Sequence, residues 1–117
     1  MLVLIEYPPC STCQKAKRFL KQKGLAFNQR HIVDNPPTET ELHAWIETYN
    51  IDIKKLFNTS GKVYRDLRLK DKIDSMTRDA LVALLASNGM LIKRPLLIGD
   101  DFVLIGFKDA EWEASLS

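Results

Sequence analysis

Two rhythms of apolar and polar positions run along this chain. Leu2, Val3, Leu4 and Ile5 form an apolar run that Glu6 interrupts and Pro8-Pro9 ends, which predicts a buried strand over residues 2–7. Residues 11–23 read as a helix, with Ala16, Phe19 and Leu20 as its apolar stripe and Gly24 as its stop. Residues 27–33 predict a second, more polar strand, and Asp34-Asn35-Pro36-Pro37 a turn. Thr38 then opens a helix, with Glu41 at the capping-box position. Leu42, Trp45, Ile46 and Tyr49 recur at i, i+3, i+4 and i+7, the buried face of that helix.

The middle is less regular. Asn58-Thr59-Ser60-Gly61 is a turn or loop, and residues 62–72 predict a short helix with irregular flanks. Thr77 caps a clearer helix to about residue 87, with Leu81, Leu84 and Leu85 inward and Asn88-Gly89 ending it. Residues 96–98 and 102–105 are short strands around Gly99-Asp100-Asp101, a hairpin signal, and residues 108–116 form a last helix. The opening strand–helix–strand unit implies a parallel pair with a right-handed crossover, and the closing hairpin adds antiparallel strands. The expected class is α/β (α+β), a mixed four-stranded sheet with flanking helices in the thioredoxin-like arrangement. No repeat, linker or low-complexity tract marks a second domain.

Composition adds limits. The 117 residues suffice for one domain with a core of its own, and 45% hydrophobic with 27% charged is ordinary for a globular chain. A net charge of +2 does not argue for nucleic acid. No basic leader followed by a long apolar stretch opens the chain, and no apolar run approaches a membrane span, so the expectation is a soluble cytoplasmic protein without membrane contact. A structural disulfide is not expected there. Both cysteines lie in Tyr7-Pro8-Pro9-Cys10-Ser11-Thr12-Cys13, and such a CxxC pair is catalytic, redox-sensing or metal-binding.

Cys10 falls at or just before a helix N-terminus, where unpaired N–H groups and a partial positive charge favour a thiolate. An ordinary thiol with a pKa near ~8.5 is only about 3% thiolate at pH 7, so this placement matters for nucleophilicity. Cys13, one turn on, is placed to resolve a mixed disulfide or a sulfenic acid on Cys10. Ser11 and Thr12 keep the interval short and add hydroxyl donors. Lys15, Lys17 and Arg18 read as a solvated helix face. Zinc wants four ligands, and beyond the one pair the chain offers only His31 and His43, with eleven residues between them, so neither metal nor cofactor is expected. Two unrelated thiols remain the bland alternative. Arg94-Pro95 precedes the strand at residue 96. Proline there is a common strand boundary, whereas a cis proline at this place in a thioredoxin-like fold lies beside the cysteine loop, with Arg94 facing Cys10.

With these motifs in hand, the chain resembles the ArsC/Spx family of bacterial arsenate reductases and their relatives. The likeness spans nearly the whole sequence. It rests on Tyr7 to Cys13 with Lys15-Ala16-Lys17, Pro36-Pro37-Thr38 opening a helix, Asn58-Thr59-Ser60-Gly61 before Tyr64, and Lys93-Arg94-Pro95-Leu96. The resemblance implies a thioredoxin-like domain with a helical insertion at about 38–87. It implies Cys10 as nucleophile, Cys13 and Arg94 as its catalytic partners, and Ser11, Thr12 and Pro95 as substrate-binding residues. The family's glutathione-dependent arsenate reductases use one cysteine and three arginines. Here Cys13 is added, and two of the arginine positions fall at Asn58 and Phe107, with Lys108 adjacent. Losing two bidentate guanidinium groups weakens oxyanion binding, which shifts the expectation from arsenate toward thiol–disulfide chemistry with a partner protein or a low-molecular-weight thiol. The family's Spx regulators share the CxxC switch and bind RNA polymerase, using a glycine for which the matching stretch, residues 49–56, has none. The chain also ends at Ser117, short of the tail expected of those regulators. A redox-switched regulator and an arsenate reductase stand as the alternatives.

Overall fold

The computed structural model of the chain describes residues 1–116. The chain divides into two compact units, one made of Met1–His31 with the stretch from Arg94 onward, the other of Ile32–Lys93. The helical segment expected over residues 38–87 falls within the second.

The first unit is built on a four-stranded sheet, β1 (Leu2–Glu6), β2 (Phe27–His31), β3 (Leu96–Ile98) and β4 (Val103–Ile105), in the order β2-β1-β3-β4. β1 is central. It runs parallel to β2, with Leu2 opposite Phe27 and Glu6 opposite His31, and antiparallel to β3, with Leu4 opposite Leu97. A strand covered on both faces reads as a continuous apolar run, and in β1 the successive positions Leu4, Ile5 and Glu6 are all buried. β3 and β4 close as a hairpin, with the Gly99 N–H donating to the Phe102 carbonyl at 2.9 Å. Helix α1 (Ser11–Gln22) buries Cys13, Ala16 and Leu20. It ends at Lys23, after which Gly24 takes φ +71°, the left-handed conformation that a glycine adopts without steric cost. Leu4, Ala16, Leu20, Leu97, Leu104 and Trp112 form the core, and the Trp112 indole N–H donates to the Gly106 carbonyl at 3.0 Å.

The second unit holds helices α2 (Glu39–Tyr49), α3 (Lys62–Asp66), α4 (Leu69–Lys72) and α5 (Arg78–Ser87), joined by 3₁₀ turns at Ile53–Leu56, Ile73–Ser75 and Gly89–Leu91. The capping box on α2 is complete: the Glu41 N–H donates to Thr38 Oγ1 at 3.1 Å and the Thr38 N–H to Glu41 Oε1 at 2.9 Å. Thr77 caps α5 by accepting from the Ala80 N–H at 3.1 Å. The last helix of the chain, α6 (Asp109–Leu116), belongs to the first unit.

Several boundaries differ from the sequence reading, β1 and α1 each ending one residue earlier than expected. β2 stops at His31, because the chain already turns ahead of Asp34. The helix expected over residues 62–72 is two, split where Arg68 takes φ 54°. β4 begins at Val103, and α6 at Asp109. Helix α5 buries Leu81, Val82 and Leu85, leaving Leu84 half-buried, because the packed stripe is rotated toward position 82.

Gly89 is fixed by close approach. A Cβ there would lie 1.9 Å from the Ile32 carbonyl oxygen, a backbone atom with no freedom to yield. We predict that Gly89→Ala costs at least about 2 kcal/mol, read as a lower urea midpoint, whereas Ala at exposed Gly24 costs less.

Candidate functional site: a paired-thiol loop

The site is assembled where β1 ends. After Glu6 the chain turns through Tyr7-Pro8-Pro9, with the Cys10 N–H donating to the Tyr7 carbonyl at 2.9 Å. Gln14 Nε2 clips the turn from α1 by donating to the Pro8 carbonyl at 2.7 Å. Cys10 is the N-cap of α1, with extended backbone angles, and its carbonyl accepts the first helical bond, from the Gln14 N–H at 3.1 Å. No acidic residue lies in the first turn of α1, so nothing there competes for the positive end of the helix.

The two thiols differ sharply. Cys10 is partly exposed, and Cys13 has no exposed surface. Partial burial works against a charge on Cys10. It is outweighed by the Cys13 N–H and thiol, by the Arg94 guanidinium and by the Thr12 N–H, which together hold the Cys10 thiol below its ordinary pKa. The Cys10 sulfur makes no full capping hydrogen bond, so these donors act as a cluster around it. Cys13 moves the other way. Burial, the Cys10 side chain and the charge of Glu6 push its thiol up to about 12, despite a stabilising contact from the Tyr7 N–H. Equal thiols thus become a thiolate candidate and a proton-bearing partner.

Arg94 is half-buried, with its guanidinium carbon 5.1 Å from the Tyr7 ring centroid. Its Nε and Nη1 are buried without a hydrogen-bond partner among the described residues. Such unspent donors beside a thiol make an anion-accepting arrangement. The Arg94–Pro95 peptide is cis and Pro95 is buried; its carbonyl accepts from the Gly106 N–H at 2.8 Å. Ser11 is exposed and Thr12 half-buried, and Thr12 reaches Cys10 through its backbone rather than its hydroxyl.

Cys10, Cys13, Thr12 and Arg94 therefore converge, while Asn58 and Phe107, where the resemblance implied arginines in the reductases, are engaged elsewhere. Asn58 Oδ1 accepts from the Ser60 hydroxyl at 3.2 Å, and the Phe107 ring packs edge-on against Trp112 at 4.9 Å and Phe19 at 5.5 Å. Lys108 is exposed. Among the described residues no group of three His, Cys, Asp or Glu is placed to hold a metal ion, and no helix is long and apolar enough to cross a membrane.

Sequence reasoning overlooked Glu6 and Lys17. Glu6 is 3% exposed, and its Oε1 lies 2.9 Å from Lys17 Nζ, which is itself largely buried. Lys17 thus leaves the solvated face where the sequence reading set it, whereas Lys15 and Arg18 stay exposed. The signals were present: a carboxylate inside an apolar strand run, and a lysine four residues after Cys13, hence on the same helix face.

A model of the ArsC family matches residues 5–115. The protein YusI from Bacillus subtilis is 49% identical over 92% of this chain and 91% of its own. The global transcriptional regulator Spx from Streptococcus agalactiae is 27% identical over 99% of this chain and 83% of its own. A solved structure described as ArsC family related, from Bacteroides fragilis, superposes with a TM-score of 0.92 at 50% identity, covering 97% of this chain and 95% of that one.

The Arg94 contact is directly measurable. Replacing Arg94 with Leu removes a donor that favours the Cys10 thiolate, so the pH midpoint of iodoacetamide labelling at Cys10 should rise toward that of a free cysteine. An unchanged midpoint would show that the Cys13 and Thr12 donors hold the thiolate without Arg94.

Proposed function

The chain belongs to the ArsC family, and on that premise we propose that it is a thiol–disulfide redox protein in which Cys10 attacks and Cys13 resolves. The observation that carries this reading is the opposite displacement of the two thiols, one lowered and accessible, the other raised and buried. In the reducing direction, the Cys10 thiolate attacks one sulfur of a substrate disulfide. The substrate's S–S bond breaks, one thiolate leaves, and a mixed disulfide forms on Cys10. Cys13 then attacks the Cys10 sulfur, the second substrate thiolate leaves, and the protein is left with a Cys10–Cys13 disulfide, two electrons poorer. Arg94 supports the anionic sulfur, and Ser11, Thr12 and Pro95 are the residues of this reading that contact the substrate. The partner is a protein disulfide or a low-molecular-weight thiol.

Two features weigh against arsenate as substrate. Arg94 is the one arginine retained of the three that the resemblance assigns to oxyanion binding, and Phe107 fills a second of those positions with an aromatic ring engaged in packing. A tetrahedral oxyanion with a single guanidinium forfeits its strongest charge-assisted contacts.

Trapping tests the thiol reading. The Cys13→Ser variant, challenged with cell extract under mild oxidation, should accumulate mixed disulfides on Cys10 that the wild type releases. The reading fails if Cys10 labels no faster than an ordinary cysteine and no Cys10–Cys13 disulfide forms.

A second reading is supported by the likeness to Spx: the same dithiol acts as a switch on a regulator that binds RNA polymerase, without turnover. On that reading, affinity capture with the oxidised and the reduced protein should retain polymerase subunits in one state more than the other. Their absence from both would remove it.

A further inference from the structure

We infer that the partner whose disulfide Cys10 attacks is a protein with acidic residues beside its cysteine, and that these acids lie along Lys15 and Arg18 of α1. This rests on the thiol–disulfide reading above and deepens it by naming the chemistry of the substrate.

Helix α1 and its C-cap carry one sign of charge. Residues 11–23 hold Lys15, Lys17, Arg18, Lys21 and Lys23 and no acid. Two of these cations are committed, Lys17 to Glu6 at 2.9 Å and Lys23 to Glu113 at 2.7 Å. Lys15, Arg18 and Lys21 are exposed, and their side chains have no partner among the described residues. Ser11, Lys15, Arg18 and Gln22 stand at i, i+4, i+7 and i+11, one line along the helix that begins next to Cys10. Lys21 lies off that line. At about 1.5 Å of rise per residue, Lys15 is about 7 Å and Arg18 about 12 Å beyond Cys10 along the axis.

The line borders a recess. Lys15, Arg18, Phe19 and Gln22 line a cleft of about 210 Å³ together with Phe107 and Asp109, where α6 begins. Phe19 and Phe107 form its apolar wall, edge-on at 5.5 Å. Asp109 is the single acid lining it, set against two cations, and Lys108 beside it in the chain is exposed. The balance is positive, so an acidic side chain is favoured there and a basic one disfavoured. The volume is below the about 300–1,000 Å³ of small-molecule pockets, so the cleft suits a side chain or two of a longer segment. An extended segment advances about 3.3 Å per residue with alternate side chains on one side, so acids about two and about four residues from the partner's cysteine meet Lys15 and Arg18. A span of that length belongs to a polypeptide rather than to a small thiol. The sulfur chemistry is unchanged: Cys10 bonds to the partner's cysteine sulfur, the partner's S–S bond breaks, and its second sulfur leaves with the electron pair. Closure of the Cys10–Cys13 disulfide then releases the first.

Full-length reduced protein is mixed with short peptides whose central cysteine bears a 2-pyridyl disulfide. One peptide has glutamates two and four positions from the cysteine on both sides, the other glutamines. Attack by Cys10 on the cysteine sulfur releases 2-thiopyridone, which is followed by absorbance. The glutamate peptide should react about 10-fold faster than the glutamine peptide at about 20 mM salt, and within about twofold of it at about 0.5 M. Lys15→Glu and Arg18→Glu should each bring that ratio to about one or below, while Lys21→Glu, an equal charge change off the line, leaves most of it. All three positions are exposed, so the fold is kept, and the ratio cancels any change in Cys10 itself. A ratio near one in the wild type overturns the proposal, as does one lost as fully in Lys21→Glu as in Arg18→Glu. So does a ratio that responds to Lys15→Glu alone, the reach of a small anionic thiol. Failure of the underlying reading looks different: the wild type would react with neither peptide, nor with uncharged 2,2′-dipyridyl disulfide, faster than an ordinary cysteine, and no Cys10–Cys13 disulfide would form.

Discussion

The chemistry at Cys10 depends on how α1 is anchored. A 12-residue helix is marginal in water by itself, and its first-turn N–H groups are organised donors only while the helix exists. Cys13, Ala16 and Leu20 give α1 one fully buried side, and Leu4, Leu97, Leu104 and Trp112 complete the core it joins. Each fully buried leucine contributes on the order of 1.5–3 kcal/mol, ample to hold a helix of this length. The anchoring fixes where the helix begins, hence which sulfur lies at its end and which is inside. The difference between the two thiols is a by-product of packing: the residue at the helix start keeps contact with solvent, and the residue three positions on cannot.

Beneath that helix the unit carries a charge pair where apolar side chains would pack. Taking a carboxylate and an ammonium out of water costs several kcal/mol each, and their attraction recovers that only with good geometry. The Glu6–Lys17 contact is short but not aligned as a hydrogen bond, so its geometry falls short of that ideal. Stability therefore does not account for the pair. Lys17 keeps the carboxylate from standing as an uncompensated charge.

Most of the frame was legible in the sequence because it rests on local signals. The capping box at Thr38 and Glu41, the Thr77 cap and the Gly24 stop all act through backbone groups a few residues away, and each forms as expected. The order strand–helix–strand followed by a hairpin was enough for the mixed four-stranded sheet. What was lost depends on packing between elements. Neither the rotation of α5 toward Val82 nor the left-handed residue Arg68 that breaks the 62–72 segment is carried by periodicity. The same holds at the site. Cys10, Cys13 and Arg94 stand out by residue type, whereas Lys17 looks like its solvated neighbours Lys15 and Arg18 until Glu6 is seen to lie under it.

The count of cations also bears on what the site accepts. A dianionic tetrahedral ligand needs several guanidinium groups to replace its hydration, whereas one sulfur anion at a helix end needs little beyond a single cation. Phe107 is part of the aromatic cluster with Phe19 and Trp112, and Asn58 is engaged with Ser60, so neither position offers the site a cation. Lys17 is spent on Glu6. Arg94 remains, with two donors unspent and its face on Tyr7, matched in charge to one thiolate. The arrangement thus has one positive group for one negative sulfur, and a separate neutral pair below it beside the second. That separation leaves a charge-favoured thiol at the helix start and a neutral, buried thiol one turn on.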